Sequence, residues 1–127
     1  MPGYLLDTNV LITWFGKRPG FGELEKLLRA PETELYTSVV CAAEFLSGCG
    51  DGDARAFRKI VDAGEIGIVP FSGLGEAELA AEYRRSLGLK MPDAIVAAAA
   101  GTRNLVLLTL DRELAGKAKK KIRVHEV

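Results

Sequence analysis

The sequence predicts a three-layer α/β/α fold in one domain, residues 1–127, with a central parallel sheet of four to five strands. Short apolar runs alternate along the chain with longer amphipathic segments, which is typical of a parallel sheet covered by helices on both faces. With 127 residues and 48% hydrophobic content, the chain can bury one core but is too short for two ordinary domains.

The overall charge gives the protein no general attraction to nucleic acid or to anionic membranes. Lys plus Arg and Asp plus Glu both number 17, so any nucleic-acid binding must come from local patches. The apolar runs are far shorter than a membrane span, and the first residues lack the pattern of a secretion leader. We therefore expect a soluble, cytoplasmic protein with no membrane association. Cys41 and Cys49 are expected to be reduced thiols rather than parts of a zinc site or disulfide framework.

Helix-breaking residues separate the elements in the first half of the chain. The cluster from Gly16 to Gly20 ends the first helix, and Pro31 ends the second. Apolar residues at positions 21, 24, 27 and 28 have helical spacing. The predicted elements are a strand at about 4–7, helices at 9–15 and 21–29, a strand at 35–38, and helices at 39–46 and 54–63.

The helix predicted over 39–46 contains one charged residue, Glu44, near the middle of an otherwise uncharged segment. Ser38 is well placed to cap this helix. An acid in the middle of a helix has no capping role, so Glu44 is a candidate functional residue. The apolar face is expected to consist of Val40, Ala43 and either Leu46 or Phe45.

The second half of the chain continues the alternation. Four consecutive alanines at 97–100 indicate a helix packed closely against a flat surface, most simply the sheet, and Gly101 is expected to stop it. The first and fourth strands are the most apolar, so we expect them to be neighbours at the centre of the sheet. The predicted elements are strands at 66–71, 105–110 and 122–127, and helices at 74–87, 92–100 and 112–117.

Four acidic residues are expected to meet at one edge of this sheet. Asp7 and Asp111 follow the first and fourth strands, Asp93 lies in the first turn of a helix, and Glu44 lies in the helix after the second strand. Ligands bind at the carboxyl ends of strands in open α/β sheets. Two carboxylates about 5 Å apart repel by roughly 3 kcal/mol at an effective dielectric of 20, so four must hold protons or cations. Oxygen donors without His or Cys suit Mg²⁺ or Mn²⁺.

Such a site suits hydrolysis of a phosphodiester, because a bound divalent ion generates hydroxide and stabilises charge on the scissile group. This chemistry needs no histidine, and the single histidine, His125, lies near the C-terminus. Asn9 and Thr109 are expected to orient the carboxylates or their waters, as is Thr8.

Three of the four acids, taken alone, also have a simpler interpretation. The residues Asp7-Thr8-Asn9 all cap helices well, Asp93 fits the acid favoured in a first turn, and Asp111 is able to cap the helix after it. The interpretation as a site depends on the four acids together.

Several basic residues near these acids are candidate phosphate contacts. We expect the run Lys119 to Lys121 to be a solvated turn rather than an RNA contact. The better candidates are Arg84, Arg85, Lys90 and Arg112, which precede Asp93 or follow Asp111.

Four sequence blocks in this order resemble the motifs of the PIN domain. They are Asp7-Thr8-Asn9 after an apolar strand, Glu44 in Ala42-Ala43-Glu44-Phe45-Leu46, Pro92-Asp93-Ala94 opening an alanine-rich helix, and Leu108-Thr109-Leu110-Asp111-Arg112. Their order, their spacing and the chain length are similar to those of VapC-type ribonuclease toxins.

This resemblance implies a Mg²⁺- or Mn²⁺-dependent endoribonuclease, usually a homodimer, held inactive by a small antitoxin whose tail occupies the acidic groove. It assigns Asp7, Glu44, Asp93 and Asp111 to the metal and catalytic site, with Asn9 and Thr109 supporting them. It does not identify the RNA.

There are two alternative functions. A phosphotransferase on a similar sheet fits poorly, because a phosphoaspartate phosphatase needs a second Asp at Asn9 and a receiver domain needs an Asp ending the third strand, where Val69-Pro70-Phe71 stand. The alternative outside enzymes is a non-catalytic module that binds a basic partner peptide in an acidic groove.

Overall fold

Five parallel strands form one sheet in the computed structural model, which describes residues 3–127. Along the sheet the order is β3-β2-β1-β4-β5, and every neighbouring pair is parallel. The predicted fold class and the central pairing of the first and fourth strands are confirmed. The strands are β1 Gly3–Leu6, β2 Glu34–Ser38, β3 Gly67–Val69, β4 Val106–Thr109 and β5 Val124–Glu126.

Seven helices in the same residues connect and cover the strands. None of these helices is long and apolar enough to cross a lipid bilayer. They are α1 Thr8–Phe15, α2 Phe21–Leu28, α3 Val39–Gly48, α4 Asp51–Asp62, α5 Gly73–Leu87, α6 Met91–Arg103 and α7 Arg112–Ala118.

The core lies around β1 and β4, whose apolar residues are buried on both faces of the sheet. Leu5, Leu6, Leu107 and Leu108 have no exposed surface, which is the pattern of a central parallel strand. In register, Leu6 pairs with Leu108, so the residues that follow both strands emerge side by side. The sheet therefore brings Asp7 level with the end of β4.

Helix α6 departs from the sequence prediction at its end. It runs past Gly101 to Arg103 and ends at Asn104, which adopts the left-handed conformation with φ of 54°. A Cβ at Gly101 would lie 3.0 Å from the Tyr83 hydroxyl oxygen and 3.2 Å from Ile122. The glycine thus allows close packing inside the helix rather than stopping it. The alanines of α6 are buried, and this helix packs most extensively against α5, with smaller contacts to α3 and β4.

The buried face of α3 also differs from the prediction. Ala43 and Leu46 are exposed, and the residues buried on this helix are Cys41, Ala42 and Phe45. The reason is an aromatic cluster that the local pattern does not reveal. The ring of Phe45 lies 5.5 Å from that of Phe15 and 5.3 Å from that of Phe57, so α3 turns this face towards α1 and α4.

The predicted cap of α3 is confirmed. The Ser38 hydroxyl accepts a 3.0 Å hydrogen bond from the amide of Cys41 and so caps α3. Cys41 and Cys49 are both free thiols, and Cys41 is buried. Helix α4 begins at Asp51, three residues before the predicted position, because Asp51 and Asp53 suit the positive end of a helix dipole.

Candidate carboxylate site

Asp7 is the most enclosed of the four candidate acids, with 7% of its surface exposed. Its amide donates a 3.0 Å hydrogen bond to the carbonyl of Leu108, which continues the pairing of β1 with β4. Its carboxylate accepts hydrogen bonds from the Thr8 amide at 2.9 Å and from the Thr109 hydroxyl at 2.8 Å. Asp7 therefore caps α1 and at the same time contacts the end of the neighbouring strand.

Thr109 connects two of the acids. Its buried hydroxyl donates to Asp7 and accepts a 3.0 Å hydrogen bond from the amide of Asp111. Next to it, the side-chain oxygen of Asn9 accepts a 3.1 Å hydrogen bond from the amide of Leu110. Both polar side chains thus hold the segment after β4 in position against the start of α1.

Asp111 has the capping role that its position suggested. Its Oδ1 accepts hydrogen bonds from the amides of Glu113 and Leu114, at 2.9 and 3.1 Å. Its Oδ2 receives no hydrogen bond from residues 3–127, so one carboxylate oxygen is available to a ligand.

Glu44 and Asp93 approach the same edge of the sheet from helices. Glu44 is exposed on α3, and its Oε1 accepts a 2.7 Å hydrogen bond from the Thr8 hydroxyl. Asp93 is half-buried in the first turn of α6. It shares with Asp111 a cleft of about 120 Å³, into which Lys90 also faces.

The electrostatics show that the four acids act on one another. Burial is the main cause that raises the pKa of Asp7, with smaller increases from the charges of Asp111 and Glu44, against the lowering effect of its hydrogen bonds. The pKa of Asp93 is also raised, first by burial and then by the charges of Asp7, Asp111 and Glu44. Lys90 opposes this rise. Ionisation of Asp7 and of Asp93 is thus less favourable unless positive charge is supplied.

The donor set fits a hard divalent cation, although the side chains are not closed around one. All four acids present oxygen, and no histidine accompanies them. Within residues 3–127, no three His, Cys, Asp or Glu side chains lie close enough together to hold a metal ion as they stand. The fit therefore rests on two properties of the acids. Their oxygen atoms are suitable ligands for a cation, and a bound cation would offset the repulsion between their charges.

Two neighbours of the acids were missed by sequence reasoning. Lys117 of α7 lines the cleft beside Asp93, and its Nζ donates to the carbonyl of Gly88 and to Glu113, both at 3.3 Å. The Cys41 thiol lies 3.8 Å from Asp7 Oδ1, and burial raises its pKa to about 11, so it is a protonated donor. No sequence pattern indicated either contact, because each depends on how separate helices dock.

The predicted RNA-binding residues differ in their distance from the acids, and only Lys90 lines the cleft that Asp93 and Asp111 share. Lys90 lies at the cleft of Asp93 and Asp111. Arg112 has a 92% exposed side chain whose nearest acid is Glu126, at 3.5 Å. Arg84 and Arg85 are exposed in the last turn of α5 and do not line this cleft.

Comparison with known protein families identifies the family of this chain. The family model of the PIN domain matches residues 4–120. The chain belongs to the PIN domain family. No relative of this PIN domain was found among curated protein sequences.

Solved structures with the same fold as this PIN domain include a toxin–antitoxin complex and members of the VapBC family of toxin–antitoxin systems. VapBC2 of Rickettsia felis, bound to a DNA fragment from its promoter, is 18% identical with a TM-score of 0.73, and 98% of each chain is covered. VapBC-1 of nontypeable Haemophilus influenzae is 18% identical with a TM-score of 0.74, covering 98% of the PIN domain and 97% of that chain. A toxin–antitoxin complex from Klebsiella pneumoniae is 27% identical with a TM-score of 0.71, and the match covers 98% of the PIN domain and 99% of that chain.

Proposed function

We propose that this PIN domain is a Mg²⁺- or Mn²⁺-dependent endoribonuclease, the VapC-type toxin of a toxin–antitoxin pair. The observation that carries the proposal is the pair of hydrogen bonds from Thr109 to Asp7 and from the Asp111 amide to Thr109. They join acids from two neighbouring strands whose charges also raise the pKa of Asp93. The likeness to toxin–antitoxin structures, at 27% identity in one case, supports the same function.

Asp7, Glu44, Asp93 and Asp111 would hold the metal, with Asn9 and Thr109 as supports. When bound, a divalent ion supplies Lewis acidity and lowers the pKa of a coordinated water. Thr109 fixes the orientation of the Asp7 carboxylate, and Thr8 does the same for Glu44. Asn9 keeps the backbone before Asp111 in place through Leu110.

The basic residues around the acids would position the RNA. Lys90 and Lys117 flank Asp93 in its cleft, where their charges would meet phosphate oxygens of the substrate. Arg112, Arg84 and Arg85 lie further out on the surface and would contribute contacts to more distant phosphates. Glu44 is exposed to solvent, and the proposed hydrolysis would use water rather than a side chain as the nucleophile.

The partners follow from the same proposal. The acidic groove would accept the tail of a small antitoxin, and the protein would act as a homodimer on cytoplasmic RNA. Co-expression with a neighbouring small gene, followed by size measurement of the purified complex, tests both partners.

The decisive experiment is cleavage of a pool of structured RNA by the purified protein with Mg²⁺, with Mn²⁺ and with EDTA. We expect cleavage that requires the metal and is abolished in Asp93→Asn. Asp51→Asn, which removes an exposed acid on α4, is the matched control and should cleave as the wild type does. Cleavage that persists in EDTA or in Asp93→Asn would contradict the proposal. Binding of a partner without any cleavage would instead favour the non-catalytic module.

A further inference from the structure

A second cleft lies at the opposite end of the sheet from the carboxylates. It has a volume of about 390 Å³ and opens beside the segment that precedes β5. Tyr83, Gly101 and Ile122 form part of its lining, and the segment 119–123 forms the basic side. We call it the basic cleft.

The lining of the basic cleft contains four cations and no acidic residue. Lys119, Lys120, Lys121 and Arg123 all line it and all are exposed, and no acidic residue lines it. Among residues 3–127 none of these four side chains forms an ion pair.

Local structure explains only part of this charge. Lys119 is the C-cap of α7, where the helix dipole favours a cation. Lys121 and Arg123 lie beyond the helix, so the dipole does not account for them. Arg123 Nη2 donates to the carbonyl of Asn104 at 2.6 Å and to its side-chain oxygen at 3.0 Å, which holds the guanidinium at the edge of the cleft. In a protein with no net charge, four cations within five positions, none of them in an ion pair within the described part of the chain, create a local positive field.

We propose that the basic cleft binds the phosphate backbone of RNA at a point remote from the carboxylate site. From the sequence alone, the run Lys119 to Lys121 was expected to be a solvated turn. The structure adds the concave wall, the anchored Arg123 and a lining that contains no acidic residue. Phosphate contacts of this kind position a nucleic acid without reading its bases.

The location of the basic cleft defines the substrate class. Leu105 lines the cleft before β4 and Asp111 follows the strand, so six residues at ~3.3 Å each separate the two sites by roughly 20 Å. An RNA that occupies both must be long or folded. The inference rests on the proposed function in taking RNA as the substrate, and it predicts a preference for structured RNA over short oligonucleotides.

The test is RNA binding in EDTA, where the proposed cleavage is suppressed, over a titration of salt. The probes are a transcript that contains a hairpin and a short single-stranded oligonucleotide. In Lys119→Gln/Lys120→Gln/Lys121→Gln, we expect at least a tenfold loss of affinity for the transcript. The slope of log affinity against log salt should become shallower by about 2, since each lost phosphate contact removes ~0.7. The loss for the oligonucleotide should be much smaller.

The charge-matched control is Arg55→Gln/Arg58→Gln/Lys59→Gln, which removes three exposed cations from α4. It should keep the wild-type slope for the transcript. Equal losses in both triple variants, or no loss in the lysine variant, would overturn the proposal. Tighter binding of duplex DNA of the same length, with the same change of slope, would assign the cleft to DNA and overturn RNA as its ligand.

The outcomes also separate this inference from the proposed function. Binding is measured without cleavage. If the protein proves inactive but the lysine variant binds the transcript more weakly, the proposed nuclease function fails and the inference about the basic cleft stands. If the protein is an active nuclease and the lysine variant binds as the wild type does, only the inference about the basic cleft fails. Far-ultraviolet circular dichroism identifies a variant that has failed to fold, and in that case the single substitution Lys121→Gln is measured in its place.

Discussion

The Thr109 hydroxyl donates a 2.8 Å hydrogen bond to Asp7, although the two residues are 102 positions apart in the chain. Thr109→Val keeps the shape of the side chain but removes this donor and the acceptor of the Asp111 amide. We expect the free energy of unfolding to fall by ~1–3 kcal/mol and Mn²⁺ to bind more weakly. Chemical denaturation and calorimetric titration measure the two effects. Thr109→Ser retains the hydroxyl and should remain close to the wild type, and equal losses in both variants would contradict this role.

Asp7→Asn should stabilise the fold in a manner that depends on pH. Burial raises the pKa of Asp7 above 3.8, so the folded state binds this proton more readily than the unfolded state. The wild type therefore loses stability as pH rises from 3.8 through the folded pKa, and the loss persists above it. The stability advantage of Asp7→Asn should grow over this window and then become constant. Urea unfolding of both proteins at a series of pH values measures it, and parallel curves would contradict the prediction.

The ion pair of Arg103 with Glu76 should matter far more than those on the surface. Glu76 is 7% exposed, and its Oε1 lies 3.0 Å from Arg103 Nη1, while its Oε2 is buried without a hydrogen-bond partner in residues 3–127. Arg103→Ala would leave a buried charge alone and should cost ~3–5 kcal/mol of unfolding free energy. Adding Glu76→Leu should recover much of that loss. If the two substitutions are additive in urea unfolding, the pair is not coupled.

Arg112→Ala should affect RNA binding but not folding. The side chain is 92% exposed and its contact with Glu126 is 3.5 Å long, so we expect under ~0.5 kcal/mol of change in stability. Affinity for RNA should fall, and its salt dependence should become shallower by ~0.7. Lys26→Ala, which removes an exposed cation from α2, serves as the control. A salt titration in which the two variants behave alike would remove Arg112 from the RNA surface.

The sequence predicted the elements that depend on local pattern and on the apolar character of whole strands. The pairing of β1 with β4 followed from their apolarity, and Ser38 was recognised as a cap from its position. The continuation of α6 through Gly101 was not predictable, because the reason for a glycine there is the approach of Tyr83 from another helix.

The candidate site shows the same division between local and tertiary information. Asp7 and Asp111 were placed at one edge of the sheet because strand order was predictable. On α3 the buried Phe45 was one of the predicted alternatives, but Ala43 and Leu46 were wrong, since rings from α1 and α4 determine which face is buried. The position of Lys117 beside Asp93 depends on how α7 meets the turn at Gly88. What the sequence could not give was the docking of helices on one another.

The placement of the acids at the ends of β1 and β4 has a consequence for how the protein opens. These two strands have a partner on each side, whereas β3 and β5 lie at the edges of the sheet. Local opening begins where few buried contacts hold a segment, so the edge strands should exchange their amide hydrogens first. The amide of Asp7, which donates to the Leu108 carbonyl across the central pair of strands, should be among the slowest to exchange. The relative positions of the carboxylates would then be preserved during local opening of the edge strands β3 and β5.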